Sequence, residues 1–231
     1  LKELIPQGFV DIHSHILPGI DDGAQNIKES LKLISEMKKL GFSKFIATPH
    51  TYPGVYNNNN NSIKESFNKL NNELKNKNIL RYASEYMIDS YLIEKAAEKS
   101  LITIKDNYVL IEMSFISEPI NLHEIIFEIN MNGYIPILAH PERYTFLFDD
   151  LKKFYKLKKI GCYFQINLLS VTGYYGKKIV EISQKLIKNN MIDFAGSDIH
   201  NLRHINEFDK TIQIRNWNEI KKICLNNEKF N

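Results

Sequence analysis

The sequence has 231 residues, of which 43% are hydrophobic and 25% are charged, and its formal net charge is +3. This mixture is typical of a soluble globular protein and excludes disordered, fibrous and membrane-embedded classes. Lys and Arg are interspersed with Asp and Glu rather than gathered in one tract, so the charge pattern indicates neither a nucleic-acid partner nor a lipid partner.

A single domain covering residues 1–231 is predicted, because a chain of this length can form one large core. No apolar run approaches the roughly 20 residues that cross a bilayer, and the first residues lack the pattern of a signal peptide. The sequence therefore predicts a cytoplasmic location without membrane insertion, and it leaves an oligomer open.

Short β-type runs alternate with helical patterns along the chain, which is typical of βα units around a parallel sheet. Strands are predicted at residues 8–12, 44–48, 79–84, 107–112, 134–139, 162–167 and 192–196. Helices are predicted at residues 27–40, 62–77, 120–131, 149–159, 175–189 and 204–214. This α/β pattern favours a distorted seven-stranded, TIM-like β/α barrel, with an open sheet as the alternative. The asparagine-rich segment 57–61 is predicted to be an exposed loop over one end of the barrel.

The first predicted strand ends in Asp11-Ile12-His13-Ser14-His15. Because side chains alternate along a strand, Asp11, His13 and His15 share one face. Two neutral imidazoles on one face can bind one divalent transition-metal ion, although a single histidine is more often a hydrogen-bonded structural residue. Asp11 lies deeper and is predicted to support the ligands rather than to bind the metal.

Later predicted strands also stop at a histidine or a carboxylate. These positions are His50, Glu85, Glu112, His140, and Asp198 with His200. Barrel enzymes collect such groups at the carboxyl ends of their strands, so these side chains are expected to meet at one mouth. Without compensation, so many charges would be costly in a partly buried mouth. The sequence therefore predicts a cluster of divalent cations. The turn Asp21-Asp22-Gly23 either caps a helix or turns one carboxylate toward this cluster.

In their order along the chain, these motifs resemble the polymerase and histidinol phosphatase (PHP) superfamily. Within it they are most similar to the bacterial protein-tyrosine phosphatases of the CpsB/CapC/YwqE type. The matching segments span nearly the whole chain and are Asp11-Ile12-His13-Ser14-His15, Asp21-Asp22-Gly23, Thr48-Pro49-His50, Glu85, Ile111-Glu112, Ala139-His140-Pro141-Glu142-Arg143-Tyr144 and Ser197-Asp198-Ile199-His200-Asn201.

The resemblance implies a PHP-type barrel that holds two or three divalent ions, with manganese expected and iron, zinc or magnesium as alternatives. It implies three ligand sets, namely His13, His15, Glu85 and Asp198; a bridging Glu85 with Glu112 and His140; and Asp22, His50 and His200. It also implies that Arg143 binds the phosphate. A second basic residue is expected shortly after His200, where Arg203 and His204 stand, and Arg203 is predicted to bind substrate.

The predicted reaction is hydrolysis of phosphotyrosine by attack of a metal-bound hydroxide, with Arg143 holding the equatorial phosphoryl oxygens. Asp198 and His200 are the candidates that would assist the leaving group, although tight metal ligation makes a poor proton donor. By resemblance, the partner is the tyrosine-rich tail of a bacterial tyrosine autokinase that regulates capsule or exopolysaccharide export.

Other functions remain open at this point. A PHP hydrolase could act on a small phosphate ester such as histidinol phosphate or on a nucleic-acid end, and a catalytically silent binding barrel is a further alternative. A metal amidohydrolase is a weaker alternative, because the pattern of that class lacks the pair formed here by Asp198 and His200. A cysteine-dependent phosphatase is disfavoured, because Leu168 and Phe230 stand six residues after the two cysteines, where an arginine would be needed. The sequence contains no Gly-rich loop followed by Lys and Ser or Thr, so it does not indicate a kinase or an ATPase.

Overall fold

A computed structural model describes residues 1–148 and 150–231. Among these residues the strands are β1 (Phe9–Asp11), β2 (Phe42–Ala47), β3 (His50–Thr51), β4 (Leu80–Tyr82), β5 (Glu85–Met87), β6 (Tyr108–Glu112), β7 (Ile135–Ala139), β8 (Tyr163–Asn167) and β9 (Phe194–Gly196). The α-helices are α1 (Ile27–Lys39), α2 (Asn60–Glu73), α3 (Ser90–Ala97), α4 (Leu122–Met131), α5 (Leu151–Lys159), α6 (Lys177–Lys188), α7 (Leu202–Asn206) and α8 (Trp217–Asn226).

The strands form two parallel sheets. One has the order β1-β2-β4, and the other has the order β3-β5-β6-β7-β8-β9. Pro49 lies between β2 and β3 and has no N–H to donate, so the ladder is interrupted there. The predicted mixed α/β class with parallel pairing is confirmed. The described strands form these two sheets rather than one closed seven-stranded ladder.

The sheets are covered by amphipathic helices and are buried on both faces. Every residue of β6 is buried, which is typical of a parallel strand with packed layers on either side. Helix α1 begins after Asn26, whose side chain accepts a hydrogen bond from the backbone N–H of Glu29, and it buries Leu33, Ile34 and Met37. None of the described helices is long and apolar enough to cross a membrane.

Several predicted elements need correction. Helices α3 and α8 were not predicted; α3 is short and is capped by the Asp89 side chain, which accepts from the N–H of Leu92. The prediction of a helix at 204–214 is wrong after Asp209, because α7 ends at Asn206 and only a short 3₁₀ turn at Glu207–Asp209 follows it. The chain is instead tied to a neighbouring segment, because Gln213 donates to the carbonyls of Val171 and Thr172, each at 2.8 Å. The first residue of the predicted helix 149–159 lies outside the described residues.

The composition of the asparagine-rich segment predicts an exposed loop, but the structure shows that only part of the segment is one. Asn59 caps α2 by accepting hydrogen bonds from the N–H groups of Asn61 and Ser62, so the helix already begins at Asn60. Asn58 is buried, and its amide donates to the carbonyls of Ile20 and His50, each at 2.8 Å. Asn58 therefore holds the backbone at Ile20, just before the Asp21-Asp22 turn, and at the predicted ligand His50.

Candidate metal centre

The predicted ligands meet at the carboxyl edge of the parallel strands. They follow or occupy the ends of β1, β6, β7 and β9 and the starts of the short strands β3 and β5, while Asp22 comes from the loop after β1. Within each of four overlapping groups, the ligand atoms all lie within 4.8 Å of one another. The groups are His15, Asp22, His50 and His200; His13, Glu85 and His140; His13, His15 and Asp198; and His50, Glu85 and Glu112.

The deepest part of the centre is formed by two imidazoles and two carboxylates. The Nε2 atoms of His13 and His15 lie 3.2 Å apart. Glu85 Oε2 lies 3.2 Å from the first nitrogen and 3.4 Å from the second, and Asp198 Oδ1 lies 3.3 Å from each. All four residues are buried. Four potential ligand atoms thus converge on one small volume without a basic side chain between them.

The outer nitrogens of both imidazoles are occupied by other protein groups. His15 Nδ1 lies 2.8 Å from Asp21 Oδ2, and His13 Nδ1 lies 2.7 Å from Gln165 Oε1. Since these oxygens accept hydrogen bonds, each Nδ1 carries the proton and each Nε2 directs a lone pair inward. This is the arrangement that protein metal sites use to orient histidine ligands, so the donor set fits a divalent cation.

Asp21 was overlooked as an orienting residue, although the turn that contains it was recognised. Its Oδ1 atom also accepts a hydrogen bond from the N–H of Gly23 at 2.9 Å. A Cβ on Gly23 would lie 2.0 Å from the carbonyl oxygen of His15, so only glycine allows this turn to approach the ligand strand. The Asp-Asp-Gly order therefore supplies one orienting carboxylate, one candidate ligand and the close approach between them.

Glu85 occupies the middle of the centre. In addition to its contacts with His13 and His15, its Oε2 atom lies 3.2 Å from His50 Nδ1, and its Oε1 atom lies 3.1 Å from His140 Nε2. His50 Nδ1 is also 2.7 Å from Glu112 Oε1. One fully buried carboxylate therefore contacts four imidazoles, which is the geometry expected of a bridging ligand.

The third part of the centre opens toward solvent. Asp22 Oδ1 lies 3.5 Å from the Nε2 atoms of both His50 and His200, and the Asp22 side chain is 51% exposed. His200 Nδ1 lies 2.9 Å from the carbonyl oxygen of Asp198, which accepts its proton and leaves Nε2 facing Asp22. A substrate would therefore enter on the Asp22 side.

The pKa shifts of His50 and Glu85 show that the buried carboxylates favour positive charge on the groups around them. Burial and the nearby His15 charge act to lower the pKa of His50, but its contacts with Glu112 and Glu85 outweigh them and raise it to about 10. Burial alone would raise the pKa of Glu85, yet the charges and hydrogen bonds of His13 and the other imidazoles hold it well below its usual value. Divalent cations would supply the same compensation without protonating the histidines.

Two candidate ligands adopt a strained backbone conformation. His140 has a φ of 36° and Asp198 a φ of 52°, in the left-handed region that non-glycine residues rarely occupy. Such conformations cost on the order of 1–3 kcal/mol each and persist where the surroundings enforce them, often at functional sites. Their occurrence at two residues of one cluster indicates that side-chain placement is favoured over backbone relaxation here.

Arg143 lies beside the cluster and is held by ion pairing and by aromatic rings. Its Nη1 atom donates to Asp198 Oδ2 at 2.9 Å, and its guanidinium carbon lies 4.7 Å from the Phe115 ring centroid and 4.2 Å from that of Tyr175. Asn167 Nδ2 donates both to Asp198 Oδ2 at 2.8 Å and to the Tyr175 hydroxyl at 3.1 Å. This closed network fixes the guanidinium next to the candidate ligands.

Glu142 precedes Arg143 in the chain but does not contact its guanidinium among the described ion pairs. It is buried, and its Oε1 atom accepts hydrogen bonds from the Asn167 N–H at 2.9 Å and from Ser170 Oγ at 2.6 Å. Burial raises the pKa of Glu142 to about 7. Its contacts show that it anchors the 3₁₀ segment Leu168–Thr172, which precedes Tyr175.

A cavity of about 270 Å³ lies in front of Arg143, and its lining differs from the prediction at one position. It is lined by Asp22, Arg143, Tyr174, Tyr175, Asp198, His200, Asn201 and His204. Arg203 is exposed and lines a neighbouring cavity with Lys32 and Leu33 instead. Successive residues of a helix point about 100° apart, so α7 can direct His204 inward and Arg203 outward. The structure thus does not bring Arg203 next to Arg143.

Asp11 lies below the ligands. Its Oδ2 atom accepts from Ser197 Oγ at 2.5 Å and its Oδ1 atom from the Ser197 N–H at 3.0 Å, so it fixes the segment that leads into Asp198. Cys162 and Cys224 are both buried, and burial raises the pKa of the Cys162 thiol to about 12. Neither cysteine is among the described residues that line the Arg143 cavity.

Comparisons with known proteins agree with this geometry. The chain matches the family described as "Capsular polysaccharide synthesis, CpsB/CapC" over residues 9–222. It is 33% identical over 199 residues to tyrosine-protein phosphatase YwqE of Bacillus subtilis, covering 84% of this chain and 78% of that protein. It is 30% identical over 203 residues to tyrosine-protein phosphatase CpsB of Streptococcus pneumoniae, covering 84% of each.

Solved structures show the same relationship. One match is a crystal structure from work on YwqE of Bacillus subtilis and CpsB of Streptococcus pneumoniae, which are called unique metal-dependent tyrosine phosphatases. It superposes on this chain with a TM-score of 0.81 at 30% identity, and the match covers 95% of this chain and 92% of that one. Histidinol phosphate phosphatase of Lactococcus lactis superposes with a TM-score of 0.51 at 16% identity, covering 97% of this chain and 92% of that one. The second likeness concerns the fold alone.

Proposed function

This chain belongs to the capsular polysaccharide synthesis family CpsB/CapC, and we infer that it is a metal-dependent tyrosine-protein phosphatase. The observation that carries this function is the convergence of five imidazoles and four carboxylates, with Glu85 in the middle and the Arg143 guanidinium beside them. Such a site can neutralise a phosphate monoester and present a cation to its oxygens, which is the main requirement for hydrolysing it.

We assign the ligands as three sets, of which the first two share Glu85. The deepest set is His13, His15, Glu85 and Asp198; the second is Glu85, Glu112 and His140; and the third is Asp22, His50 and His200. Divalent cations bound there would neutralise phosphoryl charge and lower the pKa of coordinated water. Manganese is our choice of cation on the strength of the family resemblance, and the alternatives are iron, zinc or magnesium.

Arg143 binds the phosphoryl group of the substrate. Its planar guanidinium can donate two parallel hydrogen bonds to two phosphoryl oxygens, and the flanking rings of Phe115 and Tyr175 keep its orientation fixed. Asn167 keeps Asp198 hydrogen-bonded when the guanidinium donates to phosphate, because its amide donates to the same carboxylate oxygen that Arg143 contacts. Phosphate binding therefore does not leave Asp198 unpaired.

The leaving group needs little help from the protein. Burial would raise the pKa of Asp198, but His13, His15 and their neighbours hold it well below its usual value, so this carboxylate stays charged and is suited to ligation. His200 donates its Nδ1 proton to a backbone carbonyl and faces the cavity with Nε2. Because a tyrosyl phenolate is a comparatively good leaving group, the reaction can proceed without a dedicated general acid.

The family membership supports our proposal for the biological setting of the enzyme. Its substrate is the phosphorylated, tyrosine-rich tail of a bacterial tyrosine kinase that regulates polysaccharide export, and the enzyme works in the cytoplasm. Residues 1–231 act as one PHP-type unit whose two sheets serve as a distorted barrel wall. A hydrogen bond from the Thr48 N–H to the Ser14 carbonyl and the parallel bridge between Ser14 and Ile199 support this arrangement.

A substrate panel tests the proposed function. The manganese-loaded protein should hydrolyse phosphotyrosine peptides with a kcat/KM well above its values for phosphoserine peptides of the same sequence and for histidinol phosphate. The physical reason is that the site supplies charge neutralisation but no separate acid, which favours a good leaving group. Phosphate release measured over the same enzyme concentrations gives the three values. Preference for histidinol phosphate would replace this function by the small-ester alternative, and no turnover of any ester would favour a silent binding protein.

A further inference from the structure

The rim of the Arg143 cavity carries an aromatic side chain that the metal centre does not use. Tyr174 lines the cavity together with Asp22, Arg143, Asp198 and His200, and it remains 40% exposed. Its neighbour Tyr175 is tied to Asn167 and flanks Arg143. Among the described residues, the Tyr174 hydroxyl has no hydrogen-bond partner at all. The two adjacent tyrosines therefore differ, since one supports the arginine and the other presents its ring to the cavity.

The Tyr174 ring is held in place without being covered. It makes edge-to-face contacts with Tyr175, at a centroid distance of 4.8 Å, and with His204, at 5.3 Å. The segment that carries it lies between Gly173 and Gly176, whose φ values of 85° and 98° favour glycine. A Cβ on Gly173 would come within 2.5 Å of the Gln213 side chain, so the start of this segment is closely packed. A fixed and exposed ring at a cavity rim is suited to stacking on a ligand ring.

The position of this ring relative to Arg143 decides what it would contact. A phosphoryl group bound by Arg143 and the cluster must direct its ester substituent outward through the same cavity, past Tyr174. In phosphotyrosine the first group beyond the ester oxygen is a phenyl ring, whereas in phosphoserine it is one methylene. Aromatic rings attract each other at centroid separations of about 4.5–7 Å, and a methylene offers no comparable contact.

We propose that Tyr174 is a specificity-determining residue, whose ring stacks on the phenyl ring of the substrate and favours aryl over alkyl phosphates. This inference rests on the proposed phosphatase function. It assigns no proton transfer and no metal contact to Tyr174, so the ring and not the hydroxyl carries the effect. A phenylalanine should therefore replace it without loss.

The test compares two non-hydrolysable inhibitors, phenylphosphonate and methylphosphonate, on the manganese-loaded full chain with p-nitrophenyl phosphate as the reporter substrate. Tyr174→Ala should raise the inhibition constant of phenylphosphonate by about 3- to 10-fold, as expected for one lost aromatic pair, and should leave that of methylphosphonate within about twofold of wild type. Tyr174→Phe should match wild type for both. Tyr155, which is exposed on α5, provides the matched control variant Tyr155→Ala, with no expected change.

An equal change for both phosphonates, or no change for either, in a Tyr174→Ala protein that melts like wild type would overturn the specificity role. A loss of phenylphosphonate affinity in Tyr174→Phe would also overturn it, because that variant keeps the ring. These outcomes differ from failure of the proposed function, in which the wild-type protein would neither hydrolyse the reporter with manganese nor bind either phosphonate.

Discussion

Replacing Glu85 with glutamine is expected to release bound metal and to reduce turnover of phosphotyrosine peptides by more than about 100-fold, beyond what loss of an outer-shell partner costs. Glutamine keeps the shape of the side chain but removes the charge and one of the two ligating oxygens. Since Glu85 contacts four imidazoles, among them His13 at 3.2 Å and His140 at 3.1 Å, more than one ligand set loses its shared member. Elemental analysis of the purified variant and a phosphate-release assay measure both effects.

A matched control separates this result from a general effect of removing an acidic side chain. Glu94 lies on the helix that follows the Glu85 strand, its side chain is 62% exposed, and it contacts Lys95 only at the surface. Glu94→Gln should keep wild-type metal content and rate. If Glu85→Gln also kept both, the bridging assignment would be wrong even though the surrounding histidines could still bind metal.

Replacing Arg143 with alanine should leave the metal content unchanged and lower kcat by about 10²–10³, the usual cost of losing one preorganised donor to the transition state. A guanidinium has no lone pair available to bind a cation, so its loss removes phosphate contacts without removing a ligand. Asp198 remains hydrogen-bonded to Asn167 at 2.8 Å, which should preserve the fold around the cluster. Arg143→Lys should restore the rate only in part, because a point charge lacks the planar fork.

The comparison variant for this experiment is Arg215→Ala. Arg215 is exposed, and it contacts Gln184 through its backbone N–H, which donates to Gln184 Oε1 and is kept in the variant. It should behave like wild type in metal content, melting temperature and kcat. If Arg143→Ala instead melted slightly lower but turned over phosphotyrosine at the wild-type rate, Arg143 would serve only as the ion-pair partner of Asp198. That outcome would remove its phosphate role and leave the metal centre intact.

Local patterns were sufficient to predict most of the side chains that the structure brings together in the cluster. Strand periodicity placed Asp11, His13 and His15 on one face, and the stop of each apolar run marked where Glu112 and His140 would lie. The parallel arrangement then brought these ends together, because carboxyl ends of parallel strands share an edge. Clustered histidines and carboxylates are the residue types that bind divalent cations, which is why a metal centre is expected from the sequence.

The remaining features depend on contacts between distant parts of the chain. Gln165 orients His13 across 152 positions, and Asn167 holds Asp198 and Tyr175 together, yet neither amide belongs to a pattern that marks a metal site. The choice of His204 over Arg203 at the cavity depends on the rotation of one short helix. The predicted strand 44–48 corresponds to β2, whereas the short strand β3 beyond Pro49 was not predicted, although His50 was placed in the site.

Metal dependence is tested most directly by turnover of a phosphotyrosine peptide, measured on one preparation of the wild-type protein after chelation and again after manganese is returned. Metal content is determined on the same samples. If metal ions are required for turnover, the stripped protein remains folded but inactive, and activity returns as two or three equivalents of metal bind. Full turnover by a folded protein that contains no measurable metal would contradict metal dependence.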